Sequence, residues 1–448
     1  MHIGLNLSRL KREILFLALP AIAEQTLLTI TQIVDMIMVG RLGAEAVAAV
    51  GFSMQPTFFG NAIFAAISVG AVALISRFIG ANEQELASKV LGHSLLVSIF
   101  VGSIFSIVVF LTSEKIIVFL GGEPEVISLG TSYLKILTPS FLFMLLSLTI
   151  TSAMRGVGDT TLPMKINVFV NILNILGNYI LIFGKFGFPA LGVNGAAIST
   201  TISRIIGAIM LFFSLYREKS KISISLQDLF PFDISLVSRI MNIGIPASME
   251  HLTMRIAIIF YVKIVSSLGT TAYAAHQIAI NAESISYMPG FGLAIAATTL
   301  VGQNLGANKP KRAEVSVYES LKIGAIIMGV MGLVLFIFPN FLMTIYTDDP
   351  EIIQLGATCL RITAFEQIPM AVSMIITGGL RGAGDTKFIF YVTLFSTWLF
   401  RVVLSYIMVV RYNLGLSAAW ITTIIDWFVR AILLSRRFKQ GDWKNITV

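Results

Sequence analysis

The amino-acid sequence predicts an all-α integral membrane protein whose twelve transmembrane helices form two six-helix lobes. The 448-residue chain is 56% hydrophobic and only 12% charged, whereas soluble domains carry about 25% charged residues. Twelve apolar stretches each approach the roughly 20 residues that a helix needs to cross a bilayer. These stretches are 13–38, 46–76, 90–112, 127–153, 162–184, 192–216, 239–266, 272–301, 315–341, 353–379, 387–410 and 415–434.

An internal repeat is the third observation, and it divides the twelve spans into two lobes. The second half of the chain matches the first at an offset of 226 residues as far as Thr160, and at an offset of 223 where Leu191-Gly192 meets Leu414-Gly415. Residues that match at the first offset include Pro20 with Pro246, Glu24 with Glu250, and Arg155–Thr160 with Arg381–Thr386. Six spans per copy is an even number, so both copies enter the membrane in the same orientation. The sequence therefore predicts a pseudo-two-fold axis along the membrane normal, as in transporters with parallel repeats.

The charges in the loops predict the orientation and the domain boundaries. Lys and Arg gather on one side, as in 9–12 and 309–312, while Glu123, Glu125 and Asp348 lie on the other. The positive-inside rule then places both termini in the cytoplasm of a multi-pass plasma-membrane protein. The longest polar stretch separates the two copies. It predicts an N-lobe at 1–216, a cytoplasmic linker at 217–238 and a C-lobe at 239–448.

Several classes of protein and site are not expected. Cys359 is the one cysteine, so an internal disulfide and a cysteine metal cluster are excluded. No histidine pair has metal-ligand spacing, and we expect no metal site and no cofactor. The net charge of +8 is spread over the loops, which argues against nucleic acid as a partner. No nucleophile with a base and no phosphate-binding loop is present, so we do not expect an enzyme.

The chain resembles the multidrug and toxic compound extrusion (MATE) family over essentially its whole length. The resemblance rests on Leu19-Pro20, Val34-Asp35, Gly40–Gly43, the two RGxGDT segments, Leu268-Gly269, Ala274–Gln277 and Pro289–Leu293. It implies a secondary transporter that exports cationic and amphipathic compounds in exchange for protons or sodium, through a cavity between the lobes. We expect such a chain to act as a monomer surrounded by membrane lipid. Which ion drives transport stays open.

Polar residues inside predicted spans are costly there and are candidates for function. Glu24 lies ~16 Å into the first span at 1.5 Å per residue, near the bilayer midplane. Asp35 follows eleven residues later, on roughly the same helical face, and matches the span 1 carboxylate of the family. In span 5, Asn174 and Asn178 lie on one helical face. We predict cation or proton coupling at Asp35, Glu24, Asn174 and Asn178.

The second lobe offers a different polar set, which we predict to line a substrate cavity. Its members are Glu250, His251, Gln277, Asn281, Glu283, Glu366 and Gln367. The carboxylates of sodium-type family members would fall at Met254 and Met370, so that cation site is not reproduced. As an alternative, Glu24 and Glu250 are structural and bind backbone groups loosened by Pro20 and Pro246.

The two glycine-rich RGxGDT segments predict inner-gate or hinge elements. Arg155 and Asp159 flank the first segment, and Arg381 and Asp385 flank the second. A tight bend between helices, held by a salt bridge between the flanking charges, is the expected structure.

One other function class fits the same layout of spans. A flippase for lipids or lipid-linked saccharides, from the wider superfamily, has a similar number of helices. Such a protein needs a cationic cavity for pyrophosphate, whereas the candidate cavity residues here are mostly acidic or amide.

Overall fold

The computed structural model describes residues 7–216 and 222–447, and twelve helices there are long and apolar enough to cross a membrane. This confirms the twelve predicted spans and the all-α class, and no β-strand occurs in those two ranges. The helices are α1 Leu7–Gly40, α2 Ala44–Gly80, α3 Gln84–Phe119, α4 Pro139–Val157, α5 Thr161–Phe183, α6 Gly192–Ser214, α7 Ile234–Ser266, α8 Thr270–Gly306, α9 Pro310–Ile337, α10 Pro350–Ala383, α11 Thr386–Arg411 and α12 Gly415–Gln440.

The fourth and tenth spans are interrupted at equivalent positions. A separate helix, Pro124–Leu137, precedes α4 and ends at Thr138, because Pro139 has no N–H to continue the helix. In α10, a 3₁₀ turn at Ala364–Glu366 separates Pro350–Thr363 from Gln367–Ala383. Thr138 and Ala364 are 226 residues apart. The repeat therefore places irregular backbone at the same level in both copies, where side chains can leave the regular helical pattern.

The chain forms two compact units whose boundaries fall within α1 and α7, and not at the predicted lobe boundaries. One compact unit contains residues 23–244, and the other contains 7–22 together with 245–447. We call them the N-terminal unit and the C-terminal unit. Counting spans assigns each helix to one lobe, but α1 and α7 are 34 and 33 residues long. Each is long enough to contribute its first part to one unit and its remainder to the other.

Both crossing segments pack closely through glycine residues, and the α1 segment also forms an ion pair. In the C-terminal unit, Gly292 of α8 packs against the Ala18 carbonyl of α1. Arg312 Nη2 also lies 2.8 Å from Glu13 Oε2. In the N-terminal unit, Gly244 of α7 packs against the Ala66 carbonyl of α2 so closely that no Cβ would fit.

Part of the predicted linker is bound to the N-terminal unit. Residues 217–221 lie outside the described residues. Beyond them, the short helix Leu226–Leu229 packs on α3, where Gly92 leaves room for the Asp228 carbonyl. The Asp233 backbone N–H donates to His93 Nε2 at 2.8 Å, and Phe232 stacks on the imidazole. The second part of the linker is therefore an ordered connection.

Candidate functional site

In the N-terminal unit, the Glu24 carboxylate is buried and paired with an arginine. Arg155 Nη2 donates to Glu24 Oε2 at 2.9 Å, and Asn167 Nδ2 donates to Glu24 Oε1 at 2.7 Å. Only 4% of Glu24 is exposed. One oxygen of the carboxylate is therefore bound by a guanidinium group and the other by a side-chain amide. If Glu24 were purely structural, as in the alternative hypothesis, backbone groups were the expected partners.

The C-terminal unit repeats this ion pair at equivalent residues. Arg381 Nη2 donates to Glu250 Oε2 at 2.7 Å, and the Thr393 hydroxyl donates to Glu250 Oε1 at 3.4 Å. His251 lies within electrostatic range of Glu250 and Arg381. The partners of the glutamate are 131 and 143 residues away in both units. The repeat has thus preserved a tertiary contact as well as a sequence motif.

The RGxGDT segments form tight bends, but their flanking charges have other partners than expected. Gly158 and Gly384 adopt left-handed conformations, with φ of 97° and 88°, and end α4 and α10. Arg155 and Arg381 lie in the last turns of those helices and bind the buried glutamates. The predicted bridge between Arg and Asp within one bend is therefore not the arrangement observed.

The aspartates of the two segments differ from each other. Asp159 Oδ1 accepts from the backbone N–H groups of Thr161 and Leu162, both at 3.0 Å, and so caps α5. Asp385 instead receives a hydrogen bond at 2.8 Å from Arg437 Nε of α12.

Asp35 of α1 lies among amide and hydroxyl side chains of α5 and α6. Asn178 Nδ2 donates to Asp35 Oδ1 at 2.7 Å. The Asn174 amide lies between Asp35 and Thr200. When its NH₂ faces the carboxylate, it lies 3.3 and 3.2 Å from the two Asp35 oxygens, and its oxygen accepts from the Thr200 hydroxyl. Asn174 and Asn178 are 5% and 1% exposed, so this is a buried cluster of oxygen and amide groups.

Two features of this cluster bear on its chemistry. Asn178 Oδ1 is buried and has no hydrogen-bond partner among the described residues, although buried amide oxygens normally have one. Arg204 of α6 lies within electrostatic range of Asp35 and donates to the Ser140 hydroxyl at 3.0 Å. A carboxylate with nearby neutral oxygen atoms is a donor set that suits a small hard cation. The same carboxylate is also a proton acceptor.

In the C-terminal unit, Glu283 and Glu366 share one hydroxyl group. Thr363 Oγ1 lies 2.7 Å from Glu283 Oε1 and 2.9 Å from Glu366 Oε1. The Thr423 hydroxyl donates to Glu366 Oε2 at 2.9 Å, and Gln367 Nε2 lies 3.4 Å from Glu283 Oε1. One hydroxyl has one hydrogen and cannot donate to two carboxylates. Both contacts are satisfied when one of the two carboxyl groups carries a proton.

A charged cluster beside these glutamates did not figure among the expected site residues. Asp426 of α12 is fully buried between two arginines. Arg430 Nε donates to Asp426 Oδ1 at 2.8 Å, and Arg401 Nε lies 3.1 Å from Asp426 Oδ2. Both guanidinium groups also lie against the Trp427 ring. The sequence alone could have identified these three residues as candidates, because charged residues within membrane spans are rare and all three lie within predicted spans 11 and 12.

Gln277 and Asn281 do not join that cluster. Both are exposed on one face of α8, as their spacing of four residues predicts. Neighbouring His276 is buried between the rings of Tyr261 and Trp420, at 5.7 and 5.5 Å. The predicted substrate-cavity residues therefore fall into three groups: the Glu250 ion pair with His251, the Glu283 and Glu366 pair with Gln367, and the exposed face of α8.

Comparison with known proteins identifies the family. The model of the MatE family matches the chain twice, at residues 20–180 and 246–407. The chain is 32% identical over 440 residues to the "Probable multidrug resistance protein NorM" of Thermotoga maritima, covering 98% of this chain and 94% of that protein. It is 26% identical to the multidrug resistance protein MdtK of Yersinia pseudotuberculosis serotype O:1b, covering 96% and 95%.

Solved structures agree with the sequence relatives. A crystal structure of MATE in complex with MaL6 superposes with a TM-score of 0.90 at 26% identity, covering 97% of both chains. The outward-facing conformation of a multidrug resistance MATE family transporter of the MOP superfamily gives a TM-score of 0.90 at 25% identity, covering 98% of this chain and 97% of that one. The chain therefore belongs to the MatE family, and it is a multi-pass membrane transporter rather than an enzyme.

Proposed function

We propose that the protein is a secondary active multidrug efflux transporter that exchanges cationic or amphipathic compounds for protons or sodium by alternating access. The names of the NorM and MdtK relatives, both multidrug resistance proteins, support multidrug efflux. The cationic or amphipathic character of the compounds is what the resemblance to the family implies. The observation that carries the ion exchange is the partly exposed Asp35 carboxylate with its buried amide neighbours, Asn174 and Asn178. A carboxylate in the membrane interior needs such a function or a partner to offset its desolvation cost.

The amides around Asp35 suit a carboxylate that exchanges an ion. The Asn174 amide donates to the bare carboxylate when its NH₂ faces Asp35, at 3.3 and 3.2 Å from the two oxygens. A proton or a sodium ion on Asp35 would compete with these donors. Asn178 Oδ1, which has no hydrogen-bond partner among the described residues, is a further acceptor in the same cluster.

The charges of the C-terminal unit support a second site for the coupled exchange. Arg381 and Glu250 neutralise each other, and Asp426 neutralises one of Arg401 and Arg430. These five residues together carry one net positive charge, and Glu283 with Glu366 balances it when the pair holds one proton. Loss of that proton leaves a net negative charge, which attracts a cationic compound. Proton and cationic substrate would then compete for the same pair.

The two glutamate–arginine pairs suit a role in gating. Each joins a proline-containing crossing helix, α1 or α7, to the end of the helix before an RGxGDT bend. We propose that each bend moves together with its crossing helix during the transport cycle, so that Arg155 and Arg381 act as gating residues.

The protein is proposed to act as a monomer in the plasma membrane with both termini in the cytoplasm. Single cysteines replacing the exposed and equivalent residues Glu83 and Lys309 should react with an impermeant thiol reagent only from the cytoplasmic side. A cysteine at Glu123 should react only from outside. Cys359 is fully buried and should leave the background low. Labelling of Glu83→Cys or Lys309→Cys from outside would contradict this orientation.

Transport in proteoliposomes tests the proposed exchange. The purified protein should move ethidium against its gradient when a proton or a sodium gradient of the correct direction is imposed. Abolition by a protonophore but not by sodium removal would identify protons, and the reverse would identify sodium. No ethidium movement under either gradient, with movement of a fluorescent lipid-linked saccharide, would instead support a flippase.

One structural neighbour is described with a different function on this fold. The chain superposes, at a TM-score of 0.89 and 25% identity, on a MOP superfamily transporter from Pyrococcus furiosus for which a reversed polarity of the binding pocket is described as suggesting a different function. Against a flippase, Arg381 and Arg430 of the C-terminal unit are each paired with a carboxylate. That balance favours the export of cations.

A further inference from the structure

An elongated groove of about 560 Å³ lies between α10 and α12 of the C-terminal unit. Phe365, Ile368 and Val372 line one wall, at a spacing that places them on one face of α10. Phe428 and Ile432 line the facing wall on α12. Four of these five side chains are 45–63% exposed. The walls therefore offer an apolar channel along the helices rather than a closed cavity.

One end of the groove carries positive charge. Arg436 and Lys439 belong to the same stripe of α12 as Phe428 and Ile432, and both line the groove. Both are exposed, and neither forms an ion pair within residues 7–216 and 222–447. Their neighbour Arg437, by contrast, is held by Asp385 and Asp442. Two uncompensated cations thus lie above an apolar channel.

The distance between the apolar and the charged part of the groove fits a phospholipid, which has an acyl chain below its headgroup. Phe428 precedes Arg436 by eight residues, so it lies ~12 Å deeper along the helix. Arg436 and Lys439 lie in the last turns of α12, where basic side chains reach the headgroup level of a bilayer. A phosphate held by the two cations would therefore leave an acyl chain beside Phe428 and Ile432.

We propose that this groove binds a phospholipid with an anionic headgroup. The phosphate and the net negative charge of the headgroup contact Arg436 and Lys439, and one acyl chain lies between α10 and α12. Basic pockets between transmembrane helices recognise anionic lipids by this combination of charge and apolar contact. A zwitterionic lipid fits the walls equally well but gains less from the two cations.

Native mass spectrometry of the detergent-purified protein tests the site with phosphatidylglycerol and phosphatidylcholine of identical acyl chains. The unaltered protein should retain phosphatidylglycerol about tenfold more strongly, since each basic residue near the surface contributes to anionic lipid binding. Arg436→Gln with Lys439→Gln should abolish this preference, whereas Arg436→Lys with Lys439→Arg should keep it. Lys309→Gln with Lys311→Gln, which removes two exposed cations elsewhere, is the matched control and should leave the preference unchanged.

Two further measurements distinguish a lipid site from a site that binds any small anion. Ile432→Trp fills the channel, retains both cations and should lower retention of both lipids. Inorganic phosphate at millimolar concentration should not displace phosphatidylglycerol, because it lacks the acyl contacts. An unchanged preference in the Arg436→Gln, Lys439→Gln protein would overturn the proposal. Displacement by phosphate with no effect of Ile432→Trp would also overturn it, in favour of an anion site.

Discussion

The N-terminal and C-terminal units share a buried glutamate–arginine pair, yet they place their other carboxylates at different positions. Asp35 of the N-terminal unit corresponds to Tyr261 in the other copy, which is 5% exposed and packed beside His276. Conversely, Glu283 and Glu366 correspond to Thr57 and Ser140. The duplicated scaffold was thus retained, while the ionisable groups diverged between the copies.

The surroundings of these carboxylates diverged with them. Asn174 and Asn178, which bind Asp35, correspond to Phe400 and Leu404 in the C-terminal unit. Residues 397–404 there form a π-helical segment, which contributes Thr397 and Arg401 to the cluster around Asp426. A carboxylate needs polar partners to be stable in the membrane interior. Each copy has therefore changed a group of residues together, which suggests two different sites rather than one site made twice.

The largest expected effect comes from removing the charge of Asp35. Asp35→Asn should reduce ion-driven ethidium exchange in proteoliposomes to the level of protein-free vesicles, because an amide cannot take up a proton or neutralise a cation. Tyr261→Phe, at the equivalent position, is the matched control and should keep exchange near the original rate. Full exchange by a folded Asp35→Asn protein would exclude Asp35 from coupling.

A smaller effect is expected for the carboxyl pair of the C-terminal unit. Glu283→Gln or Glu366→Gln should each lower exchange on the order of tenfold, a typical size for coupling between two bound ligands. The double variant should be little worse than either single variant, because the two groups share one proton and act as a unit. Thr57→Val, at the position equivalent to Glu283, should have almost no effect. Independent, multiplying losses would show that the carboxyl groups do not share a proton.

Breaking the glutamate–arginine pair of either unit should destabilise the protein. Arg155→Met or Arg381→Met leaves a buried glutamate without its cation, which should lower the free energy of unfolding by about 3 kcal/mol. Glu24→Gln added to Arg155→Met, and Glu250→Gln added to Arg381→Met, should restore part of the loss. Thermal unfolding in detergent measures both cycles. Glu85→Gln, which breaks an exposed pair with Lys89, should cost less than about 1 kcal/mol.

The smallest difference concerns the second partner of each glutamate. Asn167→Ala removes a 2.7 Å hydrogen bond to Glu24, whereas Thr393→Ala removes a 3.4 Å contact with Glu250. A hydrogen bond to a charged group contributes about 1.5–3 kcal/mol, so Asn167→Ala should cost more of the free energy of unfolding than Thr393→Ala. Equal losses in the same unfolding measurement would indicate that the two contacts are equivalent in solution.

Many residues of the candidate site can be recognised from the sequence, but which of them contact each other cannot. Asp35, Asn174 and Asn178 are recognisable as polar residues on two predicted helices, and the structure brings them together. The partner of Glu24 was not predictable, because Arg155 is 131 residues away and was expected in a loop. Arg401, Asp426 and Arg430 could have been found as charges within spans, but their common neighbourhood depends on the packing of α11 against α12.

By itself, the sequence determined the class of the protein, the number of its spans and the duplication. These properties follow from local hydrophobicity and from a repeat that can be read along the chain. Tertiary structure decided which charges are neutralised and which unit each part of α1 and α7 joins. Several of those outcomes depend on contacts between residues that are distant in the sequence, such as Glu24 and Arg155, which are 131 positions apart. A buried carboxylate looks the same in a sequence whether an arginine, an amide or a second carboxyl group lies beside it.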